Sequence, residues 1–286
     1  ALALHAGLDA KLIAQRMMGY TDARQAPTAE RFLALLAPQE EGGTLRQGQP
    51  YPFFLSHPLD APDGVDEACQ AFLEERLGPV AHWQVEWKYD GIRGQVVRRD
   101  GAAWIWSRGE ELVTDRFPEL DALARLLPEG TVLDGEILVW LPGEDRPAPF
   151  ALLQQRTGRK TLTKKVLAEA PVTFMAYDLL EAAGQDLRGL PLHERRARLE
   201  ALLANTNLRL SPVLQAAGWA EFAGLRRRSR ELGVEGFMLK RRDGAYGVGR
   251  TKADGLWWKW KIEPMTVDCV LVYAQAGHGR RASVYT

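Results

Sequence analysis

The chain has 286 residues, 46% of them hydrophobic, enough for one large domain or two with a buried core. Its 37 basic and 37 acidic side chains cancel to formal neutrality, so it is less basic than a whole DNA-binding protein and any nucleic-acid contact has to come from local patches. Two cysteines, Cys69 and Cys269, show no metal-ligand spacing, and no apolar stretch is long enough to span a membrane, which fits a reducing, cytoplasmic setting.

Residues 1 to about 38 read as helices: Leu8, Leu12 and Ile13 recur at helical spacing, and Pro27-Thr28 introduces the run Ala29 to Leu36. Glu40 to Pro50 is a linker or exposed loop. Gln84-Val85-Glu86-Trp87-Lys88 alternates as a strand does, with Val85 and Trp87 on one side and Glu86 and Lys88 on the other, where the polar pair shares one wall of a cleft. Tyr89-Asp90-Gly91-Ile92-Arg93 follows. A lysine beside a turn-forming Asp-Gly is ordinarily a solvated hairpin residue; the alternative is an amine nucleophile aimed at an α-phosphate. Such an amine must be neutral although lysine titrates near about 10.4, so it needs cations nearby, and Arg93 is the first candidate.

Asp100-Gly101 separates Gln95 to Arg98 from Ala103 to Trp106, a hairpin signal, and Ser107-Arg108-Gly109 closes that unit with an arginine in a turn. Thr131 to Val139 is an apolar strand carrying Asp134 and Glu136 on one face. Carboxylates in such a run are costly unless paired or bound to a cation, and a divalent metal is favoured over a simple salt bridge. Pro171 to Leu180 places Tyr177 beside Asp178 in another strand, which core packing would also explain. In Gly233 to Lys240, strict alternation would put Glu235 and Lys240 on opposite faces, so either a bulge at Gly236 or separate roles is required. Leu256 to Ile262 alternates again, with Lys259 and Lys261 on one face as a phosphate clamp and Trp258 and Trp260 on the other. Two basic runs are candidate DNA contacts or solvated faces: Arg156, Arg159, Lys160, Lys164 and Lys165, and Arg226-Arg227-Arg228.

Taken in order, Lys88-Tyr89-Asp90-Gly91-Ile92-Arg93, Ser107-Arg108-Gly109, Leu133-Asp134-Gly135-Glu136, Ala176 to Leu180, Glu235 to Lys240 and Trp258 to Lys261 resemble the motifs of ATP-dependent DNA ligases. These belong to the covalent nucleotidyl transferases, and the likeness covers about residues 50 to 264. The resemblance implies that Lys88 forms a lysyl-AMP phosphoramidate and that Glu86 lies by the adenine amino group. It puts Arg93 and Arg108 on the ribose and phosphates, and Glu136 on the ribose side and the metal. Glu235 becomes a second metal carboxylate, and Lys259 and Lys261 hold the α-phosphate. Tyr177 stands where the family often has phenylalanine, so adenine stacking should survive. Arg250 corresponds to an arginine that precedes the final strand. ATP and Mg2+ or Mn2+ are the implied cofactors, and nicked duplex DNA the implied partner of a monomer.

The resemblance further implies an α+β fold: two mainly antiparallel sheets around a nucleotide cleft, with helices such as Leu192 to Leu203 outside. Residues 1–49 would be the tail of a helical DNA-binding domain plus linker, as in bacterial ligases with that N-terminal domain. Residues 50–264 would be the adenylation domain, and 265–286, with a strand pattern over Val267 to Tyr273, the incomplete start of an OB domain. An opening without methionine reads as a fragment, which on this reading adenylates weakly and seals poorly. Alternatives are an RNA ligase, a capping-type transferase, or a catalytically silent DNA-binding module.

Overall fold

The computed structural model of the chain describes residues 2–8, 13, 17, 28–36, 48–62, 64–249, 255–263, 268–270 and 272–275. Numbered in chain order, the strands are β1 (His57–Pro58), β2 (Trp83–Tyr89), β3 (Ile92–Arg99), β4 (Ala102–Ser107), β5 (Thr131–Val139), β6 (Val172–Ala182), β7 (Gln185–Asp186), β8 (Arg209–Leu210), β9 (Val213–Leu214), β10 (Val234–Arg241) and β11 (Trp257–Lys261). They form one sheet in the order β1-β11-β10-β2-β9 and a second in the order β4-β3-β5-β6-β7, with β8 also on β6. All pairings are antiparallel except β1 with β11 and β6 with β8.

Alternation decides which face each sheet buries. On the first sheet Val85, Phe237, Leu239, Trp258 and Trp260 point outward. They pack on Leu73 and Leu77 of the helix Glu67–Leu77, and on Trp219 and Phe222 of the helix Trp219–Arg226. The first of those helices starts where the Asp66 side chain accepts a hydrogen bond from the Cys69 N–H at 3.0 Å. On the second sheet Val96, Ile105, Leu133, Ile137 and Phe174 are covered by Phe117, Leu120, Leu153, Leu199 and Leu203. The last two lie on the helix Leu192–Leu203, outside the sheet as expected. The inner faces meet through Phe54, Val97, Trp106, Val132, Leu180, Tyr246 and Trp257. Burying such side chains contributes about 1.5–3 kcal/mol each, and here it holds two walls of a cleft together.

The Asp100-Gly101 hairpin forms where the sequence puts it, both residues at positive φ (48° and 74°), as a tight turn between right-twisted strands requires. Leu2–Ala6 and Ala29–Leu36 are helical, as are Ile13 and Met17; Leu12, Pro27 and the linker up to residue 47 lie outside the described residues. Within the strand expected over Val267 to Tyr273, residues 268–270, 272 and 273 belong to no strand, and the others lie outside the described residues.

Asp178, where core packing was one reading, is a buried ion instead. Arg195 donates Nε and Nη2 to its two oxygens at 2.8 and 2.9 Å, and both side chains are 0% exposed. The same guanidinium reaches the carbonyls of Leu190 (2.5 Å) and Gly244 (3.2 Å), so one residue ties the helix to β6 and to the turn after β10. Removing the cation strands a carboxylate in the core, which costs more than the pair's net contribution. Arg195→Met should therefore lower unfolding free energy by about 3–5 kcal/mol, measured by urea melts, and Asp178→Asn in the same chain should recover part of that loss. A drop below about 1 kcal/mol would show the pair to be dispensable.

Candidate active site

Strand β10 lies between β2 and β11, and its register slips at one point. Val234 pairs with Tyr89 and Phe237 with Trp87, so Glu235 and Gly236 together stand opposite Lys88. Gly236 has φ 125°, and a Cβ there would lie 2.2 Å from the Trp260 carbonyl oxygen, so only glycine fits. The bulge resolves the choice left open by alternation. It turns Glu235 toward the same face as Lys88, where Oε2 accepts from Lys88 Nζ at 2.5 Å and Oε1 pairs with Lys261 Nζ at 2.8 Å. Half-burial works against the Glu235 charge, but hydrogen bonds from Lys261 and Lys88 outweigh it and hold the carboxyl below its ordinary range. Lys259, opposite Met238, shares that face, while Trp258 and Trp260 are buried on the other. Asp90 is raised by desolvation and by Glu235, with Lys88 and Lys261 opposing.

On the facing wall, Asp134 and Glu136 lie on one side of β5 as expected, but their environments diverge. Asp134 is fully buried and accepts four hydrogen bonds: Arg93 Nε at 3.1 Å and Nη2 at 2.7 Å, the Tyr177 hydroxyl at 3.2 Å and the Tyr246 hydroxyl at 2.6 Å. Here the salt bridge prevails over the metal expectation, because those donors occupy both oxygens. Arg93 is likewise engaged, its Nη1 donating to the Phe54 carbonyl at 2.7 Å. Burial opposes the Arg93 charge, but Asp134 raises its pKa well above the ordinary value. The cation expected to act on Lys88 is thus directed at Asp134, and the group hydrogen-bonded to Lys88 is the carboxylate of Glu235. Glu136, opposite Arg93 in register, has no side-chain hydrogen bond or ion pair among the described residues. Desolvation raises its pKa to about 8 against the pull of Lys88 and Arg93, with Asp134 and Glu235 adding to the rise.

At the other end of the first wall, Glu86 and Lys240 form an ion pair at 3.1 and 3.2 Å, each 1% exposed. Glu86 also accepts from Gln84 Nε2 at 2.5 Å and Ser211 Oγ at 2.9 Å, which leaves it occupied rather than waiting for a ligand. Lys240 Nζ sits 4.1 Å from the Tyr177 ring centre and 4.8 Å from that of Trp257, bridging the two sheets. Burial lowers its pKa despite Glu86. Tyr177 remains partly exposed, and β6 bulges at it: Asp178 pairs with Asp134 but Ala176 with Gly135.

Of the residues singled out from sequence, the structure gathers Lys88, Glu235 and Lys261 in one ion-paired row, and it brings Glu136 and Arg93 close enough to share its field. Arg108 is exposed, and among the described residues it joins the site through its backbone N–H, which donates to the Arg93 carbonyl at 2.9 Å. Arg250 lies outside the described residues. Each basic run loses its first member as a DNA contact. Arg156 is buried against Glu119 at 2.5 and 2.8 Å, and Arg226 is buried with Nη1 on the Lys261 carbonyl at 2.6 Å. Arg159, Lys160, Lys164, Lys165, Arg227 and Arg228 are exposed. Sequence reasoning missed Tyr246, Ser211 and Trp257 as parts of the site, and no motif around the first two signals them. Among the described residues no group of three or more His, Cys, Asp or Glu could hold a metal alone.

A family model described as an ATP dependent DNA ligase domain matches residues 65–261. A "Probable DNA ligase" of Koribacter versatilis is 33% identical over 265 residues, covering 84% of this chain and 43% of that protein. One of Opitutus terrae is 36% identical over 293 residues, covering 90% of this chain and 27% of that protein. The chain therefore spans less than half the length of these relatives. Among solved structures, a mycobacterial DNA ligase D complexed with ATP and MES superposes with a TM-score of 0.52 at 35% identity, over 64% of this chain and 55% of that one.

The raised pKa of Glu136 has a definite sign. A carboxyl titrates at about 4.3 when unfolded and at about 8 here, so folding favours its protonated form. Its contribution is intact below the unfolded value and lost as pH rises through about 8. Glu136→Gln, which keeps the neutral shape, should leave Tm unchanged at acidic pH, raise it increasingly from about pH 4.3 to about pH 8, and hold that gain at higher pH. Thermal melts across pH test this, and a difference from wild type that does not vary with pH would refute it.

Proposed function

Since the chain belongs to the ATP-dependent DNA ligase family, we propose that it carries the AMP-transfer chemistry of a DNA ligase, with Lys88 as the nucleophile. The observation that carries this reading is the row Lys88–Glu235–Lys261, two amines from separate strands converging on one carboxylate at the cleft wall. An arriving triphosphate offers these lysines a stronger anion than Glu235 does, and Lys259 on the same face adds a third amine. Lys88 Nζ, having released one proton to water, bonds to the α-phosphorus as the bond to the bridging oxygen breaks and pyrophosphate leaves, and a second proton passes from the nitrogen to water to give the phosphoramidate. The adenylate then passes to a DNA 5′-phosphate and is displaced by a 3′-hydroxyl.

Tyr177 supplies an aromatic face for adenine, fixed by its hydroxyl on Asp134. Glu86 stands at that end through Lys240; an adenine amino group reaching it has to displace one of its present donors. Arg93, locked by Asp134, is a preorganised positive charge near Glu136 rather than a mobile phosphate clamp. Exposed Arg108 is free to reach a ribose or phosphate.

The residues present fit a magnesium ion, which keeps waters and substrate phosphates as ligands and asks the protein for only one or two carboxylates. Glu136, without a protein partner among the described residues, would be the first, and Glu235 the second once its lysines turn to phosphate. The ion would supply compensation for the charge on the phosphates.

Intact mass measurement tests the nucleophile. After ATP and magnesium the wild-type chain should gain one adenylate, lose it in excess pyrophosphate, and show no gain as Lys88→Ala; label retained by that variant, or preference for GTP, would overturn the reading. For the DNA side, Lys160→Glu with Lys164→Glu should weaken binding of nicked duplex and flatten its salt dependence while the adenylate gain persists. Unchanged binding would remove that face from the DNA interface.

A further inference from the structure

Residues Gly48 to Leu59 precede the segment matched by the family model, yet they touch both walls of the cleft. At their start they are held by the second sheet. Trp106 Nε1 donates to the Gly48 carbonyl at 2.6 Å, and Arg99 Nη1 to that of Gln49 at 2.8 Å. Gln95 grips the Tyr51 backbone twice, accepting from its N–H and donating to its carbonyl, both at 2.8 Å. The Tyr51 hydroxyl donates to Glu181 at 2.7 Å, and Glu181 is itself held by Arg99 at 2.5 and 2.9 Å.

In the middle, the Phe54 carbonyl accepts from Arg93, and its N–H donates to the Tyr246 hydroxyl at 3.3 Å. Gly249 is bridged to Phe53 at 3.1 Å and to Leu55 at 2.7 Å. At the end the segment becomes β1, pairing His57 with Trp258 and Pro58 with Lys259, while the Leu59 N–H donates to the Lys259 carbonyl at 2.9 Å. One extended stretch thus fixes Arg93 on one wall and the backbone of Lys259 on the other.

We propose that Gly48–Leu59 is a staple between the two cleft walls, a positioning element that sets where Arg93 and Lys259 stand relative to each other and so how tightly a nucleotide triphosphate is held. The nucleotide part rests on the ligase reading; the mechanical part does not. Three features favour a positioning role over mere packing. Apart from the Tyr51 hydroxyl on Glu181, the contacts are hydrogen bonds of the segment's backbone to defined atoms, they fall at both ends of the segment, and the central one is made by the same guanidinium that Asp134 orients.

The test uses the full chain. Gln95→Met keeps the buried volume but releases both bonds to Tyr51; Tyr51→Phe removes the hydroxyl that meets Glu181 and Arg99 but keeps both bonds to Gln95; Leu199→Val loosens the outer core without touching the staple and serves as a control for lost stability. Hydrogen exchange should show that Gln95→Met strips protection from Gly48–Leu59 and also from Trp257–Lys261 on the far wall, with Tyr51→Phe giving the same pattern at smaller amplitude. The KM for ATP in Lys88 labelling should rise by about tenfold with kcat little changed, and stay put in Leu199→Val. Loss of protection that stops before β11, or an ATP KM no higher than in the control, overturns the staple. If wild-type Lys88 accepts no AMP at all, the ligase reading fails, and the exchange result alone still decides the mechanical proposal.

Discussion

At Gly236 the backbone of β10 passes so close to Trp260 that no side chain fits, and the extra residue this forces into the strand is Glu235. Without the slip, period-two alternation would send that carboxylate into the tryptophan-rich outer core, where an unpaired charge costs several kcal/mol, of order 2–7 for even a neutral polar group. With it, Glu235 is shared by Lys88 and Lys261 across three adjacent strands. The row of alternating charges keeps two amines side by side that would otherwise repel, and it leaves them on an accessible face. The ion-paired row on this wall depends on that one irregularity in the sheet.

The opposite wall is organised by a different rule. Asp134 is wholly desolvated, and it remains tolerable because a guanidinium and two phenols satisfy its oxygens. In return it fixes the orientation of Arg93 and Tyr177 before any ligand arrives, which reduces the reorganisation left for binding. Glu136, two residues on, receives no such support and stays the poorly accommodated group of the cleft. The contrast between a carboxylate with four hydrogen bonds and one with no side-chain partner among the described residues separates the scaffold of the site from the part that a cation would complete.

Much of this was legible in the chain. The Asp100-Gly101 hairpin and the alternation that divides Lys259 and Lys261 from Trp258 and Trp260 follow from local pattern, while the outward helix at Leu192–Leu203 came with the family resemblance. What pattern could not supply were partners distant in sequence. Asp134 and Glu136 look equivalent on one strand face, and only the folded position of Tyr246 and Arg93 tells them apart. Arg156 and Arg226 look like members of basic surface runs, yet each is drawn inward by carbonyls that sequence gives no hint of. Glu86 was likewise readable as a cleft residue but not as one already filled by Lys240, Gln84 and Ser211.

The pairing of His57 and Pro58 with Trp258 and Lys259 joins the beginning of the described core to its last strand. A chain leaving the ribosome in order has the whole second sheet available long before β11 emerges, whereas the first sheet lacks two of its five strands' contacts until then. Lys88 is synthesised early, but the strand that brings Lys259 and Lys261 to its wall arrives last. During synthesis the nascent domain therefore has the wall of Asp134 before that of Lys88, which is completed only once Trp257–Lys261 has emerged.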